Sequence, residues 1–274
     1  MIVFPPAKIN LGLNVVRKRS DGYHDLQSVL VPIPLRDALE IIVDPMVPVG
    51  EVVQTRSGLP IPGSADQDLC MKAIAAVRHL RPLPGLRMHL HKVIPMGAGL
   101  GGGSSDGTHT LLLLNDLLDL KLCAEELHDL AFALGSDCPF FLKPTPQLIT
   151  GRGDHPIPVD IDLTGLWLLI VNPGVHVSTA AVFRSCTPSG KELDVVPLFT
   201  PLDLNELDAR SPNTLEEAVF RMHPEVAAIK SRLKEAGAVH SSMSGSGSTV
   251  FGIFNERPHD IVWPANHQQW LLQW

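Results

Sequence analysis

In the segment 86–94, LRMHLHKVI, apolar Leu86, Met88 and Leu90 alternate with polar Arg87, His89 and His91. A period of two predicts a half-buried strand, ending before Pro95. Short apolar runs at 38–43, ALEIIV, and at 167–171, WLLIV, predict two more strands. Over 68–81 the period lengthens. Leu69, Ala73, Ala76, Val77 and Leu80 recur at helical spacing, with Asp66 or Asp68 as the N-cap. The run THTLLLLNDLLDL from Thr108 is apolar nearly all round, so its helix is expected to be buried. Leu127, Leu130, Ala131 and Leu134 mark an amphipathic helix stopped by Gly135. Pro224 opens another, carrying Val226, Ile229 and Leu233 and closed by Gly237.

Between these elements, 144–160 is dense in Pro and Gly and reads as a connection between lobes. A second Pro-containing stretch spans 187–201. Strands and helices mix without regular βαβ alternation, which favours an α+β fold. A length of 274 residues fits one large domain or two modest ones, and 45% hydrophobic residues supply a full core.

The formal net charge of −7 argues against a general nucleic-acid binder, although a local site on an acidic protein can still hold an anionic small molecule. Cys70, Cys123, Cys138 and Cys186 form no CxxC pair, and four cysteines in so long a chain point to a reducing compartment. The start, MIVFPPAKIN, has no basic region, apolar core or cleavage site of a signal peptide. The apolar cluster Leu111–Leu114 is far too short to span a bilayer. The expectation is a cytoplasmic protein with neither membrane nor nucleic acid as partner; its oligomeric state is not legible.

The candidate chemistry begins with PMGAGLGGGSSDG, residues 95–107. This run lies between the predicted strand and the buried helix. Unpaired amides at a helix N-terminus carry partial positive charge, and glycines let that backbone approach a ligand closely or take φ > 0. Pro95, Met96, Gly97, Ala98, Gly99, Leu100, Gly101, Gly102, Gly103, Ser104 and Ser105 are therefore candidates for a phosphate cradle. No Lys follows the glycines, so this is not a Walker loop. Gly97, Gly99 and Gly102 match GxGxxG only in spacing. A tight structural loop remains the alternative.

Other residues each have a plain reading. Lys8, among Ala7, Ile9 and Leu11, reads as a surface lysine on a strand edge; Asp137 as a cap or turn; Tyr23, the single tyrosine, as core or rim filling; Ser104 and Ser105 as N-caps. His89 and His91 share a strand face without a matched third ligand, so they read as a solvent-facing pair.

Six motifs change this picture together. AKINLGL, DGYH, GAGLGGGSSD, LGSDCPFF, GVHVSTAAVF and MSGSGSTVFG follow one another from about Pro6 to Phe254. In this order they resemble the GHMP kinase superfamily, in particular the branch acting on a cytidine-diphosphate-linked methylerythritol. The resemblance implies a lobe of ribosomal-protein-S5-domain-2 type over 1–150 and a ferredoxin-like lobe over 151–274, with the active site between them. It implies transfer of the ATP γ-phosphoryl, with Mg²⁺, to the 2-hydroxyl of that small molecule in the non-mevalonate isoprenoid pathway. By the same resemblance, Lys8 and Asp137 are the catalytic pair. Residues 95–105 bind ATP, and Asn10, Tyr23, His24, Thr179 and Phe183 contact the acceptor. Tyr23 and Phe183 would be the walls about the cytosine. The metal ligands stay open. Asp68, Gly107 and Thr108 depart from the family's pattern, Asn213–Glu216 (NTLE) varies a familiar one, and the tail after Asn255 matches nothing.

Overall fold

The structure, a computed structural model, describes residues 1–62, 67–151, 156–199 and 201–274. In chain order the first elements are β1 (Ile2–Val3), β2 (Pro6–Lys18), β3 (His24–Arg36), β4 (Ala38–Val43) and β5 (Val52–Gly58). There follow α1 (Leu69–Leu80), β6 (Leu86–Lys92), α2 (Gly102–Leu117), α3 (Ala124–Leu134), β7 (Gln147–Gly151), β8 (Ile157–Pro158) and β9 (Trp167–Asn172). The remainder is α4 (Thr179–Ser185), α5 (Leu204–Arg210), α6 (Glu216–Met222), α7 (Pro224–Glu235), β10 (His240–Met243), β11 (Val250–Phe254) and β12 (Gln268–Gln273).

These elements form two compact units that are interleaved along the chain. One comprises Met1–Ala7, Leu35–Met96 and Gly101–Pro144; the other comprises Lys8–Pro34, Gly97–Leu100 and Thr145–Trp274. The first unit holds a sheet of order β1-β4-β6-β5, in which β5 runs parallel to β6 and the other pairs are antiparallel. Leu39, Ile41, Met88 and Leu90 from this sheet pack with Ala73, Ile74 and Val77 of α1 and Leu111 and Leu114 of α2. The β6 alternation is as the pattern predicts, with Leu86, Met88 and Leu90 inside and Arg87 and His91 outside. The inward phase continues to Lys92, which is 1% exposed.

Three helical or loop expectations need correction. In α1, Asp68 is the N-cap and accepts from Cys70 N at 2.7 Å, while Asp66 lies outside the described residues. The buried stripe is Cys70, Ala73, Ile74 and Val77; Leu80 is exposed, because the stripe is set one residue later than the periodicity suggests. The α2 helix begins at Gly102, inside the glycine run, rather than at Thr108. Its early turns are packed too tightly for larger residues. A Cβ on Gly107 would stand 2.9 Å from Leu69 Cβ, which accounts for that glycine. Finally, 144–160 is not merely a connection. The chain enters the second unit at Thr145, and β7 then pairs antiparallel with β3, from Leu30↔Gln147 to Leu26↔Gly151. The two-residue β8 carries Pro158 on the far side of β7, an edge where a missing N–H is tolerated.

The second unit contains most of the sheet ordered β2-β3-β7-β8 and all of the antiparallel sheet ordered β10-β11-β9-β12. Leu169 and Val171 on β9, Val219 on α6, Val226, Ile229 and Leu233 on α7, and Phe254 on β11 form its core with Leu13 and Val15 of β2. The tail after Asn255 supplies β12, whose Gln268–Gln273 pair with Trp167–Asn172 of β9. Among the described residues no helix is long and apolar enough to cross a membrane.

Candidate active site

The glycine run divides its labour by position. Gly97, Gly99 and Gly101 have φ of +63°, +80° and +69°, a left-handed conformation that a Cβ disfavours. Gly101 is the N-cap of α2, without a side-chain cap, and no acidic residue occupies the first turn. The first amides of α2 are thus left without intrahelical acceptors, the arrangement that suits an anion. Gly102 serves space rather than φ. A Cβ there would lie 2.8 Å from Ile94 Cγ2 and 2.9 Å from Lys92 Nζ. Ser104 and Ser105 are not N-caps, because the helix starts before them. Ser105 is fully buried, its N–H donates to Gly101 O at 2.9 Å, and its hydroxyl faces His109 Nδ1 at 3.4 Å.

The apex of the loop, Gly97–Leu100, is fastened by its carbonyls. Leu100 O accepts from Lys8 N at 2.9 Å, Gly99 O from Ser244 Oγ at 2.8 Å and Ala98 O from Thr249 N at 3.3 Å. Lys8 belongs to AKINLGL, and Ser244 and Thr249 belong to the C-terminal Gly-rich turn, so three of the six motifs meet here. That turn is fixed in its own right. Asn213 Nδ2 donates to Met243 O at 2.7 Å and Gly245 O at 2.8 Å, and Glu216 Oε1 accepts from Met243 N at 2.8 Å. NTLE therefore carries a support role that its spacing alone did not disclose.

Lys8 is not a surface lysine: it is 3% exposed, on a strand buried on both sides. Lys8, Asn10 and Gly12 alternate with Ala7, Ile9 and Leu11, so the polar residues share one face of β2. Lys8 Nζ donates to Asn10 Oδ1 at 2.7 Å, and Asn10 Nδ2 donates to Ser28 Oγ at 2.7 Å. Both ends of the Asn10 amide are therefore engaged inside the protein.

Among the residues expected to hold a flat base, Phe183 stacks on His24 rather than standing alone. Their ring centroids are 5.2 Å apart at 29°. Burial, aided by the Lys18 charge, lowers the His24 pKa below the ordinary imidazole value. Tyr23, the residue before His24, is 54% exposed. Thr179, exposed at the start of α4, shares a hydrogen bond with Ser246 of the C-terminal turn at 2.8 Å. Asp137 is partly buried in the turn after α3, just before Pro139–Leu142, a single 3₁₀ turn.

Against Gly102, at the start of α2, lies a buried triad that periodicity did not disclose. Lys92 Nζ is paired with Asp37 Oδ2 and, at 2.6 Å, with Asp106 Oδ2. Asp37 Oδ1 accepts the amides of Val93 at 2.6 Å and Ile94 at 2.9 Å, fixing the strand exit that leads into the loop. Burial, reinforced by Asp37 and opposed by Lys92, pushes the Asp106 carboxyl up to about 8. Asp106 also borders a small cleft formed with Ile61, Leu69, Leu90, Met96 and Gly103. His89 and His91 bracket Ser57 Oγ, each at 2.9 Å, on the outer side of the first sheet. Among the described residues no group of three His, Cys, Asp or Glu is placed to hold a metal ion.

A glycine loop at positive φ, a buried lysine and a second Gly-rich turn fastened to the loop's apex are features that a phosphate-handling enzyme of the small-molecule kinase class would use. Family comparison agrees: 68–143 match the GHMP kinases N terminal domain and 200–270 match the GHMP kinases C terminal domain. The chain is 43% identical over 259 residues to the 4-diphosphocytidyl-2-C-methyl-D-erythritol kinase of Parabacteroides distasonis, covering 94% of this chain and 93% of that one. The enzyme of the same name from Cytophaga hutchinsonii is also 43% identical, over 94% of each chain. A crystal structure of 4-(cytidine 5'-diphospho)-2C-methyl-D-erythritol kinase superposes with a TM-score of 0.79 at 32% identity, covering 94% of this chain and 91% of that one. The Methanococcus jannaschii mevalonate kinase shares the fold, with a TM-score of 0.71 at 14% identity. The chain belongs to the GHMP kinases and, within them, to the 4-diphosphocytidyl-2-C-methyl-D-erythritol kinase family.

Proposed function

We propose that this kinase transfers the γ-phosphoryl of ATP to the 2-hydroxyl of 4-diphosphocytidyl-2-C-methyl-D-erythritol, in the cytoplasm. The phosphates rest on the loop 95–105 and the first amides of α2. Mg²⁺ arrives with ATP; such an ion usually keeps several waters and is held largely by the phosphates, so it needs no protein cage. Asp137 accepts the proton of the attacking hydroxyl, and Lys8 offsets charge on the transferred phosphoryl.

The observation that carries the substrate reading is the His24–Phe183 ring pair with exposed Tyr23 alongside in sequence. Aromatic faces suit a nucleobase, where stacking contributes roughly 1–3 kcal/mol per base. Mevalonate and homoserine carry no base to stack. Binding energy from the base would orient a small, flexible acceptor arm for reaction.

The test is a panel of acceptors assayed with ATP–Mg²⁺ by ADP release. The cytidylyl compound should turn over, while free methylerythritol phosphate, mevalonate and homoserine should not. Asp137→Asn should lower kcat by at least about 100-fold, the lower range for a positioned proton acceptor, with ATP affinity retained. Equal turnover of mevalonate would overturn the substrate reading; near-normal turnover by Asp137→Asn would remove it as the base.

A further inference from the structure

Three side chains on neighbouring strands form a directional chain that ends on the Lys8 ammonium. An ammonium has only hydrogens to give, so it faces an oxygen, Asn10 Oδ1, at 2.7 Å. The Asn10 amide must then present its nitrogen on the opposite side, and Nδ2 donates to Ser28 Oγ at 2.7 Å. Ser28 can accept there because its own hydrogen is committed elsewhere: Oγ donates to the backbone carbonyl of Gly12 at 2.7 Å. The polarity runs one way, from the Gly12 carbonyl through Ser28 and Asn10 to Lys8. All three side chains are nearly out of water, with Lys8 and Asn10 at 3% exposure and Ser28 at 7%, so solvent does not readily substitute for a missing link.

We propose that Ser28 is a positioning residue for phosphoryl transfer, anchoring the nitrogen end of the Asn10 amide and thereby holding its oxygen, and with it the lysine's ammonium, in place. Nothing in the motif resemblance assigns Ser28 a role. The inference rests on the reading of Lys8 given above. Without the Ser28 oxygen, Asn10 Nδ2 is left buried with an unpaired N–H, and the amide can shift to seek another acceptor, drawing Oδ1 out of line with the ammonium. Ser244 Oγ stands 3.4 Å from Asn10 Oδ1 but donates to Gly99 O at 2.8 Å, so it cannot replace the Ser28 acceptor at the nitrogen end.

The experiment is steady-state kinetics with ATP–Mg²⁺ and the cytidylyl acceptor on Ser28→Ala, Ser28→Thr and Asn10→Asp, and on Asn10→Asp combined with Ser28→Ala. Ser28→Ala should lower kcat on the order of 10- to 100-fold, as a misplacement of up to about 1 Å can, with KM for ATP changed less than twofold. Ser28→Thr restores the hydroxyl and should recover most of the loss. Asp at position 10 has two acceptor oxygens and no amide polarity, so removing Ser28 in that background should cost under threefold. This coupling is one that a merely structural role for Ser28 would not produce. Melting curves verify folding. If Ser28→Ala does not fold, Ser28→Cys, a comparable volume with a poor hydrogen-bonding group, replaces it against Ser28→Thr. Equal losses in the Thr variant and the hydroxyl-less variant, or full additivity with Asn10→Asp, would overturn the proposal. If the wild type leaves the cytidylyl acceptor untouched, the substrate reading fails instead.

Discussion

At the scale of single residues, the most heavily constrained group is Lys92. A charge at 1% exposure is tolerated only when paired, and two carboxylates meet it. Burial works against its charge, yet Asp106 and Asp37 hold Lys92 above the ordinary lysine pKa. Deleting one partner of such a pair typically costs about 3–5 kcal/mol, because the other charge stays buried. One lysine cannot neutralise two carboxylates, and the surplus falls on Asp106, whose Oδ1 is buried with no hydrogen-bond partner among the described residues. The sign of the pH effect follows. With a native value near 8 against an unfolded value near 4, the folded state binds the extra proton between those limits, so this group's contribution to stability falls as pH rises across them. Asp106→Asn cannot titrate. The melting temperature of the wild type should therefore drop relative to Asp106→Asn between pH 5 and pH 8; parallel curves would show that Asp106 is ionised throughout. The strand phase 86, 88, 90, 92 in the sequence already points Lys92 inward, but its partners, 55 and 14 residues away, belong to the tertiary fold.

At the scale of elements, the strands and helices with a strong period were legible, while those governed by close approach were not. β6, β9, α3 and α7 stand where alternation or helical spacing puts them. α2 was placed late because glycine has poor helix propensity, and only packing against Leu69 and Ile94 makes small residues there favourable. β7 was hidden among prolines and glycines, since its stability comes from pairing with β3 rather than from its own composition. The loop itself was legible in composition, but not its fastening: the carbonyls of Ala98, Gly99 and Leu100 find partners at Thr249, Ser244 and Lys8. Gly99 is the sensitive point. A Cβ there would fall 2.0 Å from Ser244 O, at a φ that L residues rarely adopt. Gly99→Ala should weaken ADP binding at least about 10-fold, equivalent to about 1.4 kcal/mol, measured by calorimetry on protein with a native circular dichroism spectrum. Unchanged affinity would mean that the loop's conformation is immaterial to nucleotide binding.

At the scale of the whole molecule, six short motifs carried the family, but the partition of the chain was not readable from composition. The expected division at 150 follows sequence order, whereas the compact units draw on alternating segments. Core residues Leu13 and Val15 lie far upstream of the helices they pack with, so contacts across some 200 residues decide the matter. The tail offers a direct check. β12 covers one side of β9, a strand whose residues Leu168–Val171 are all buried. Removing 256–274 would leave β9 an apolar edge with unpaired backbone groups, a template for association with other chains. The truncated protein should therefore aggregate on expression or sediment as oligomers; a monodisperse, active truncation would show that β12 is dispensable.

The interleaving also bears on how such a protein can be recombined. A single crossover between the genes of two relatives exchanges everything on one side of a cut, and no single cut separates Met1–Ala7, Leu35–Met96 and Gly101–Pro144 from the rest. Every simple chimera whose cut falls after Lys8 mixes the two parents within the second unit. Gly97–Leu100 sets the finest limit: four residues with foreign chain on both sides, carrying the apex of the loop. Grafting a whole unit from one parent to another requires transplanting those four residues along with the distant turn at Ser244 that fastens them, so the substitutions must travel together or not at all.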